Sequence, residues 1–571
     1  MGEKSFYRDD VEVVVLPVDV VVVGGGTAGC MAAITVKEKN PDLEVLVVEK
    51  AHVSRSGCLA AGVNAINAYL NPGETPESYL EYVRKEGAGL VREDLVYTIG
   101  QRLNHMAARL EEWGLPFLRD AKGRYKARGR RSVEIIGEGI KPLMARALAR
   151  SGARVLNRVA ASAFILQGEK VAGIYAFSVR EKKFYVIPAR AVICATGGAA
   201  GLYRPNNPVG APHKMWYCPF NVGTGLAMGI RAGAEMTTLE MRFVALRVKD
   251  VISPTGTVAQ GVKARQINAL GEEYLRRYPD RTTAGRLAAT LREEQEGRGP
   301  CYLDLSHLTP EENRRVKEAY LNMSPGIVLK WADEGGEPSD QPLEICGTEP
   351  YIVGGHGQAG YWVDRERRTT LKGLFAAGDV VGGAPKKYVT GCMAEGEMAG
   401  EAALAWIEGE EESPQPDLAA MEEKLRRVFA PLRREKGFQP ADMEERLQKI
   451  MDEYAGGITA GYAVCEPRLL IARKKLRVLQ EDAEKGLIAT DPHELMLAHE
   501  VLDRIILGRA VVEHLLYRRE TRWPVYQQRS DYPQRDDERW LVFVNSIYER
   551  EKDEFHMIER RPERCGDGLW R

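Results

Sequence analysis

The stretch that decides the fold is VDVVVVGGGTAGC, Val18 to Cys30. Val18 to Val23 is a β-branched run that predicts a buried strand. Gly24, Gly26 and Gly29 follow it with the spacing G-x-G-x-x-G, and Ala28 to Lys39 reads as a helix. Glu44 to Val48 then predicts a second strand, ending in Glu49. The three glycines serve, in turn, a tight turn, close approach of backbone to a pyrophosphate, and close helix–strand contact. The helix N-terminus, with Thr27 and Ala28, faces the phosphates, and Glu49 is placed to accept hydrogen bonds from ribose hydroxyls.

Two distant segments identify the dinucleotide as FAD. Ala191 to Gly198 is AVICATGG, a strand that runs into a turn at Ala195, Thr196 and Gly197. Gly373 to Gly383 is GLFAAGDVVGG, a second strand and turn, in which Gly378 and Asp379 can approach a ribityl chain. This pair of segments is similar to those of two-dinucleotide-domain flavoproteins.

Bulk properties exclude several classes. The 571 residues are 44% apolar and 28% charged, enough for about three or four domains of roughly 150 residues. Lys plus Arg number 80 and Asp plus Glu 81, so the net charge of −1 gives no reason to expect nucleic acid or an anionic membrane surface. Val11 to Val23, broken by Pro17 and Asp19, is too short to span a membrane and reads as buried strand. No secretory signal precedes it, so a cytoplasmic protein without direct membrane insertion is expected. The nine cysteines form no C-x-x-C pair and no iron–sulfur or zinc spacing, so no metal site is expected in this chain.

The expected class is α/β: a Rossmann-like FAD-binding domain with an inserted α+β capping domain and a helical C-terminal domain. The first part of the FAD-binding domain is expected over residues 1–243, the cap over 244–350, the second part over 351–410 and the C-terminal domain over 411–571. The cap contains a charged helical stretch, Arg281 to Arg298. EGEEESPQPD, Glu408 to Asp417, reads as a linker, and the last domain is expected to end in a short strand at Trp540 to Val544.

Two isolated residues invite a binding role. Arg247 stands in the apolar stretch Phe243 to Val248, where a guanidinium is either paired or aimed at an anion. His356 lies in GGHGQAG, a loop whose glycines let backbone approach a ligand beside a group that titrates near neutrality.

From Arg55–Ser56, Gly223–Thr224–Gly225, Gly271–Glu272–Glu273 and the tail Arg529 to Trp540, the chain resembles the succinate dehydrogenase, fumarate reductase and aspartate oxidase family. GVNAINAYL (Gly62 to Leu70), GLVREDLVY (Gly89 to Tyr97), MWYCPFNVG (Met215 to Gly223), EMTTLEMRFVALRVKD (Glu235 to Asp250) and RRETRWPVY (Arg518 to Tyr526) are similar to the adenylylsulfate reductase alpha subunits within it. The resemblance implies a cofactor site completed by Lys50, Ser56, Gly57 and Thr390. Gly57 stands where covalent members carry a histidine, which implies non-covalent FAD. It also implies an active site of Arg247, His356, Asn67 and Glu138 with a cap arginine, Arg292 or its rival Arg286, and a place for Trp216 between the flavin and the cluster partner.

Implied with these is two-electron reduction of adenylylsulfate to sulfite and AMP, or the reverse, at FAD N5. Electrons would come from a ferredoxin-like iron–sulfur subunit in a hetero-oligomer. The resemblance breaks at Pro254 to Gln260, where small and polar residues replace the bulky apolar adenine clamp of adenylylsulfate reductases. A fumarate-reductase or aspartate-oxidase style enzyme acting on a small carboxylate is the alternative. Val244, Ala245 and Leu246 stand where that branch has a His-Pro-Thr grip after the phenylalanine. A non-catalytic electron-relay subunit is a third reading.

Overall fold

In the computed structural model, residues 3–8, 10–207, 214–251, 255, 261–409 and 417–564 are described. The valine run forms the strand Val18–Val23, buried except at Asp19. It lies parallel to Val45–Glu49 on one side and to the end of Lys183–Cys194 on the other. Arg154–Asn157 extends the sheet beyond the former and Leu374–Ala376 beyond the latter, both parallel. Five parallel strands therefore end together at one edge, where the glycine turns emerge. That is where open α/β sheets bind ligands. Val11 to Val23 is not one strand: Val11–Val15 and Val18–Val23 are separate, broken at Leu16–Pro17, because proline cannot donate to the ladder.

The first glycine loop leads into the helix Thr27–Lys39. The long helix Tyr388–Glu408 packs closely along it. A Cβ at Gly396 would lie 2.2 Å from the carbonyl oxygen of Ala28, so only glycine permits this contact.

The chain enters and leaves the cap as neighbouring antiparallel segments, with Phe243 opposite Tyr351 and Arg247 opposite Cys346. The cap itself has a four-stranded antiparallel sheet, Leu246–Val248, Leu343–Gly347, Cys301–Asp304 and Arg265–Ile267 in that order. Its helix Thr283–Gln295 starts on Thr282, whose side chain accepts from the Gly285 amide.

The C-terminal domain is built from the helices Leu418–Phe429, Pro440–Tyr454, Glu466–Gly486 and Pro492–Tyr517. The last is buried nearly all round, as a helix packed on every face must be. The expected strand at Trp540 to Val544 is instead a helical turn, Asp537–Trp540, and a longer hairpin, Phe543–Glu549 with Glu554–Arg560. The hairpin also reaches the dinucleotide domain, where Asn545 and Ser546 pair with Thr237 and Met236. Between these domains a fully buried network places Glu240 on Arg518 (2.7 Å), and Arg518 and Arg522 on Glu520 (2.8 and 2.7 Å). Among the described residues no helix is long and apolar enough to cross a membrane.

Candidate functional site

A cleft opens along the carboxyl ends of the parallel strands. Gly24, Gly26, Thr27 and Ala28 line it at the helix start, with Glu49, Lys50, Ser56, Gly57, Ala195, Thr196, Gly197, Gly378 and Asp379 around it. Gly24 has φ +99°, and a Cβ there would lie 2.6 Å from the Ala195 oxygen, so the two turns pass too closely for any side chain. Gly26, the residue before the helix, supplies no capping side chain, which leaves the first-turn amides free for phosphate oxygens. Glu49 turns its carboxylate to the amides of Gly25 (2.9 Å) and Ala51 (2.8 Å) at the end of its strand. Ser56 Oγ is buried in the cleft wall with no hydrogen-bond partner among the described residues, a donor that awaits a ligand. Asp379 accepts from Tyr217 at 2.9 Å, and burial pushes its carboxyl above the usual carboxylate range. These donors and the backbone cradle fit FAD.

Two expected cofactor residues act beneath the cleft instead of lining it. Gly29 sits where a Cβ would fall 1.9 Å from the Gly24 oxygen, so it fixes the helix against the turn. Thr390 donates to the Ala68 carbonyl. Contributions that the sequence hid come from the C-terminal domain: Met496, His499, Glu500 and Asp503 line the same cleft, and Glu500 pairs with Lys50. Nothing in that apolar helix separates these positions from core.

Beyond the cleft, Arg247, His356 and Trp216 come together, although each lies on a different segment. The Arg247 guanidinium carbon sits 4.8 Å from the Trp216 ring, and the His356 ring meets that tryptophan edge-on at 4.8 Å. Phe243, Tyr351 and Tyr388 close the surround: Phe243 and Tyr388 lie 5.2 and 5.3 Å from His356, and Tyr351 lies 5.4 Å from Trp216. Arg247 Nη1 donates to Leu246 O at 3.1 Å, while its Nε and His356 Nδ1 are buried and unpartnered among the described residues. Burial lowers the Arg247 pKa to about 10 and that of His356 to about 3, the latter helped by the charges of Lys386 and Arg247. At neutral pH the site thus presents a guanidinium and an uncharged imidazole with open positions, an arrangement that suits a dehydrated anion. The aromatic neighbours were invisible in the sequence, where isolated rings read as core.

The remaining expected residues are placed differently. Asn67 accepts from Arg128 Nη2 at 2.8 Å and from Ser132 Oγ at 3.2 Å. Glu138 is exposed, in the crevice where Gly62 passes between its backbone and Asn322 of the cap. Arg292 is exposed and lies over the Tyr278 ring at the cap's outer face, so it is not the inward cap arginine. Arg286, six positions earlier and about 120° apart around the helix, is half-buried instead. Of the altered clamp only Thr255 is described, with its hydroxyl on the Leu246 carbonyl (2.8 Å); the rest of Pro254 to Gln260 lies outside the described residues.

Comparison with known proteins agrees with this geometry. Residues 19–394 match the family described as FAD binding domain, and residues 444–565 match fumarate reductase flavoprotein C-term. The adenylylsulfate reductase alpha subunit of Megalodesulfovibrio gigas is 30% identical, covering 95% of each chain. The structure of adenylylsulfate reductase from Archaeoglobus fulgidus superposes with a TM-score of 0.93 at 35% identity, over 98% of each chain. The fumarate reductase flavoprotein subunit of Mycobacterium tuberculosis is 26% identical over 94% of this chain and 95% of its own.

Proposed function

We propose, from the premise that the chain belongs to the succinate dehydrogenase/fumarate reductase flavoprotein family and carries an FAD-binding domain, that it interconverts adenylylsulfate with AMP and sulfite. The observation that carries this reading is the Arg247–His356–Trp216 cluster, set in a chain 30% identical to an adenylylsulfate reductase alpha subunit over nearly its whole length. FAD, once bound, supplies the two-electron chemistry.

The protein's own groups do the rest. Arg247, cationic at neutral pH with a pKa of about 10, neutralises charge on sulfate or sulfite oxygens. His356 Nδ1 is the atom at which a proton is held or received: the imidazole is neutral when the site is empty, and an incoming anion favours its protonation. Trp216, Phe243, Tyr351 and Tyr388 exclude water, which strengthens every charge–oxyanion contact inside. Asn67 and Glu138 would border the substrate on the crevice side.

FAD is held non-covalently in this reading, because Gly57 offers no nucleophile after Ser56. The electron partner would be a ferredoxin-like iron–sulfur subunit, docking near Trp216, whose loop ends in the 56% exposed Phe220. The alternative substrate is a small carboxylate, favoured by the loss of bulky apolar residues at Pro254 to Gln260.

Anaerobic titration of the flavin spectrum with sulfite, with and without AMP, decides between them. Bleaching by sulfite that AMP reshapes is the expected result. A spectrum that sulfite leaves unchanged, together with reoxidation of the reduced protein by fumarate, would transfer the assignment to the carboxylate branch.

A further inference from the structure

Next to Arg247 and His356 lies a second set of polar groups that the proposed reaction leaves unused. Lys386 is buried, and its ammonium group meets Glu86 Oε2 at 3.0 Å and Thr283 Oγ1 of the cap helix at 3.1 Å. An ammonium has three donors, so one remains. Its backbone is left-handed, φ +65°, as is that of Tyr388, φ +51°. Strain of this kind in non-glycine residues is retained where the direction of a side chain matters. Here it turns Lys386 towards the cap and the Tyr388 ring onto His356. Lys387 between them points the opposite way, into the core, to the carbonyls of Gly378 (2.9 Å) and Val381 (2.8 Å).

Tyr526 approaches the same corner from the C-terminal domain. Its ring lies 5.3 Å from that of Phe243, it is 3% exposed, and its hydroxyl has no hydrogen-bond partner among the described residues. Tyr526 and Lys386 border the same corner: Phe243, against which Tyr526 packs, lies 5.2 Å from the His356 ring, and Tyr388, two positions after Lys386, lies 5.3 Å from it. The Tyr526 segment cannot swing away to satisfy its hydroxyl. Trp523 Nε1 is tied to the Gly87 carbonyl at 3.0 Å, and the Tyr526 carbonyl accepts from Arg242 at 3.2 Å. A fixed phenol with a buried, unpartnered hydroxyl and a buried ammonium with a spare donor are each costly when empty, and each gains a contact when an oxyanion arrives.

We propose that Tyr526 and Lys386 form a second oxyanion subsite near Arg247 and His356, so that one ligand bearing two linked oxyanions is held by both. The inference rests on the proposed reaction, in that the linked groups are then the sulfate and phosphate of a sulfate–phosphate mixed anhydride. The C-terminal domain is on this view part of the substrate site as well as a support for the cofactor.

The test is calorimetric titration of the full FAD-loaded chain with inorganic sulfate and with AMP, in wild type, Tyr526→Phe and Lys386→Met. Tyr526→Phe removes only the hydroxyl, so flavin content is expected to stay at the wild-type level and the melting temperature of the ligand-free chain at or above it. Its affinity for at least one of the two anions should fall by about 10-fold, the scale of a hydrogen bond to a charged group. Lys386→Met should weaken the same anion; if loss of the Glu86 pair unfolds it, Tyr526→Phe decides alone. Wild-type affinity for both anions in Tyr526→Phe overturns the subsite, as does a wild-type chain that binds neither. Weakened anion binding in the variant, in a protein whose flavin ignores sulfite, keeps the subsite and removes the adenylylsulfate reading.

Discussion

The cofactor cleft and the substrate corner adjoin each other, yet they are built by different means. The cleft is mostly backbone: glycine turns, helix amides and strand ends converge because five parallel strands stop at one edge. The corner is side chains: Arg247 from the strand entering the cap, His356 and Tyr388 from the returning chain, Trp216 from a loop and Tyr526 from the last domain. A site of backbone is intolerant of added atoms, while a site of side chains is intolerant of lost ones. Substitutions that add to the first or subtract from the second should therefore separate cofactor binding from turnover.

The largest effect is expected from Gly29→Val. Even a Cβ there would stand 1.9 Å from the Gly24 oxygen, so the strand–turn–helix unit cannot close. Protein recovered with a normal ratio of flavin to polypeptide would break the comparison at its root.

Arg247→Met should keep full flavin content and lose roughly 100- to 1000-fold in kcat/KM, the usual scale for removing one group that stabilises developing charge. Equal loss of flavin and activity would mean that the two regions are not separable.

A third effect is a pH dependence of stability. His356 and His499, one in each region, have folded pKa values of about 3 and about 4 because of burial. Both lie below the unfolded value near 6.5, so the unfolded chain binds protons that the folded one refuses as pH falls from about 6.5. Their contribution is complete above about pH 6.5 and diminishes below it, by about 2 kcal/mol per histidine on going to pH 5. Urea midpoints of the flavin-free protein at pH 7 and 5 measure this. His356→Asn should flatten the difference by about half, and an unchanged difference would mean that His356 is not held neutral.

The smallest effect sharpens the assignment within the cap. Arg292→Ala should change kcat/KM less than about 2-fold, because exposed charges contribute little. Arg286→Ala should cost more, and the reverse order would restore Arg292 as the inward cap arginine.

The amino-acid sequence by itself determined the strand–turn–helix unit at the cleft's edge: Gly24, Gly26 and Gly29, the strands that flank them and the acid at Glu49 are local in the chain, and local geometry is written locally. It also marked Arg247 and His356, because a lone charge in an apolar strand and a histidine among glycines are conspicuous without knowing any neighbour. It did not choose between Arg286 and Arg292, since the inward face of the cap helix depends on how the cap sits on the sheet. Nor did it show that Met496, His499, Glu500 and Tyr526, more than 100 residues beyond the last glycine turn, reach the two sites. Those placements follow from the buried Glu240–Arg518–Glu520–Arg522 network and the hairpin added to Met236–Thr237. Contacts between segments so far apart in the chain are decided by the packing of domains, which no local pattern encodes.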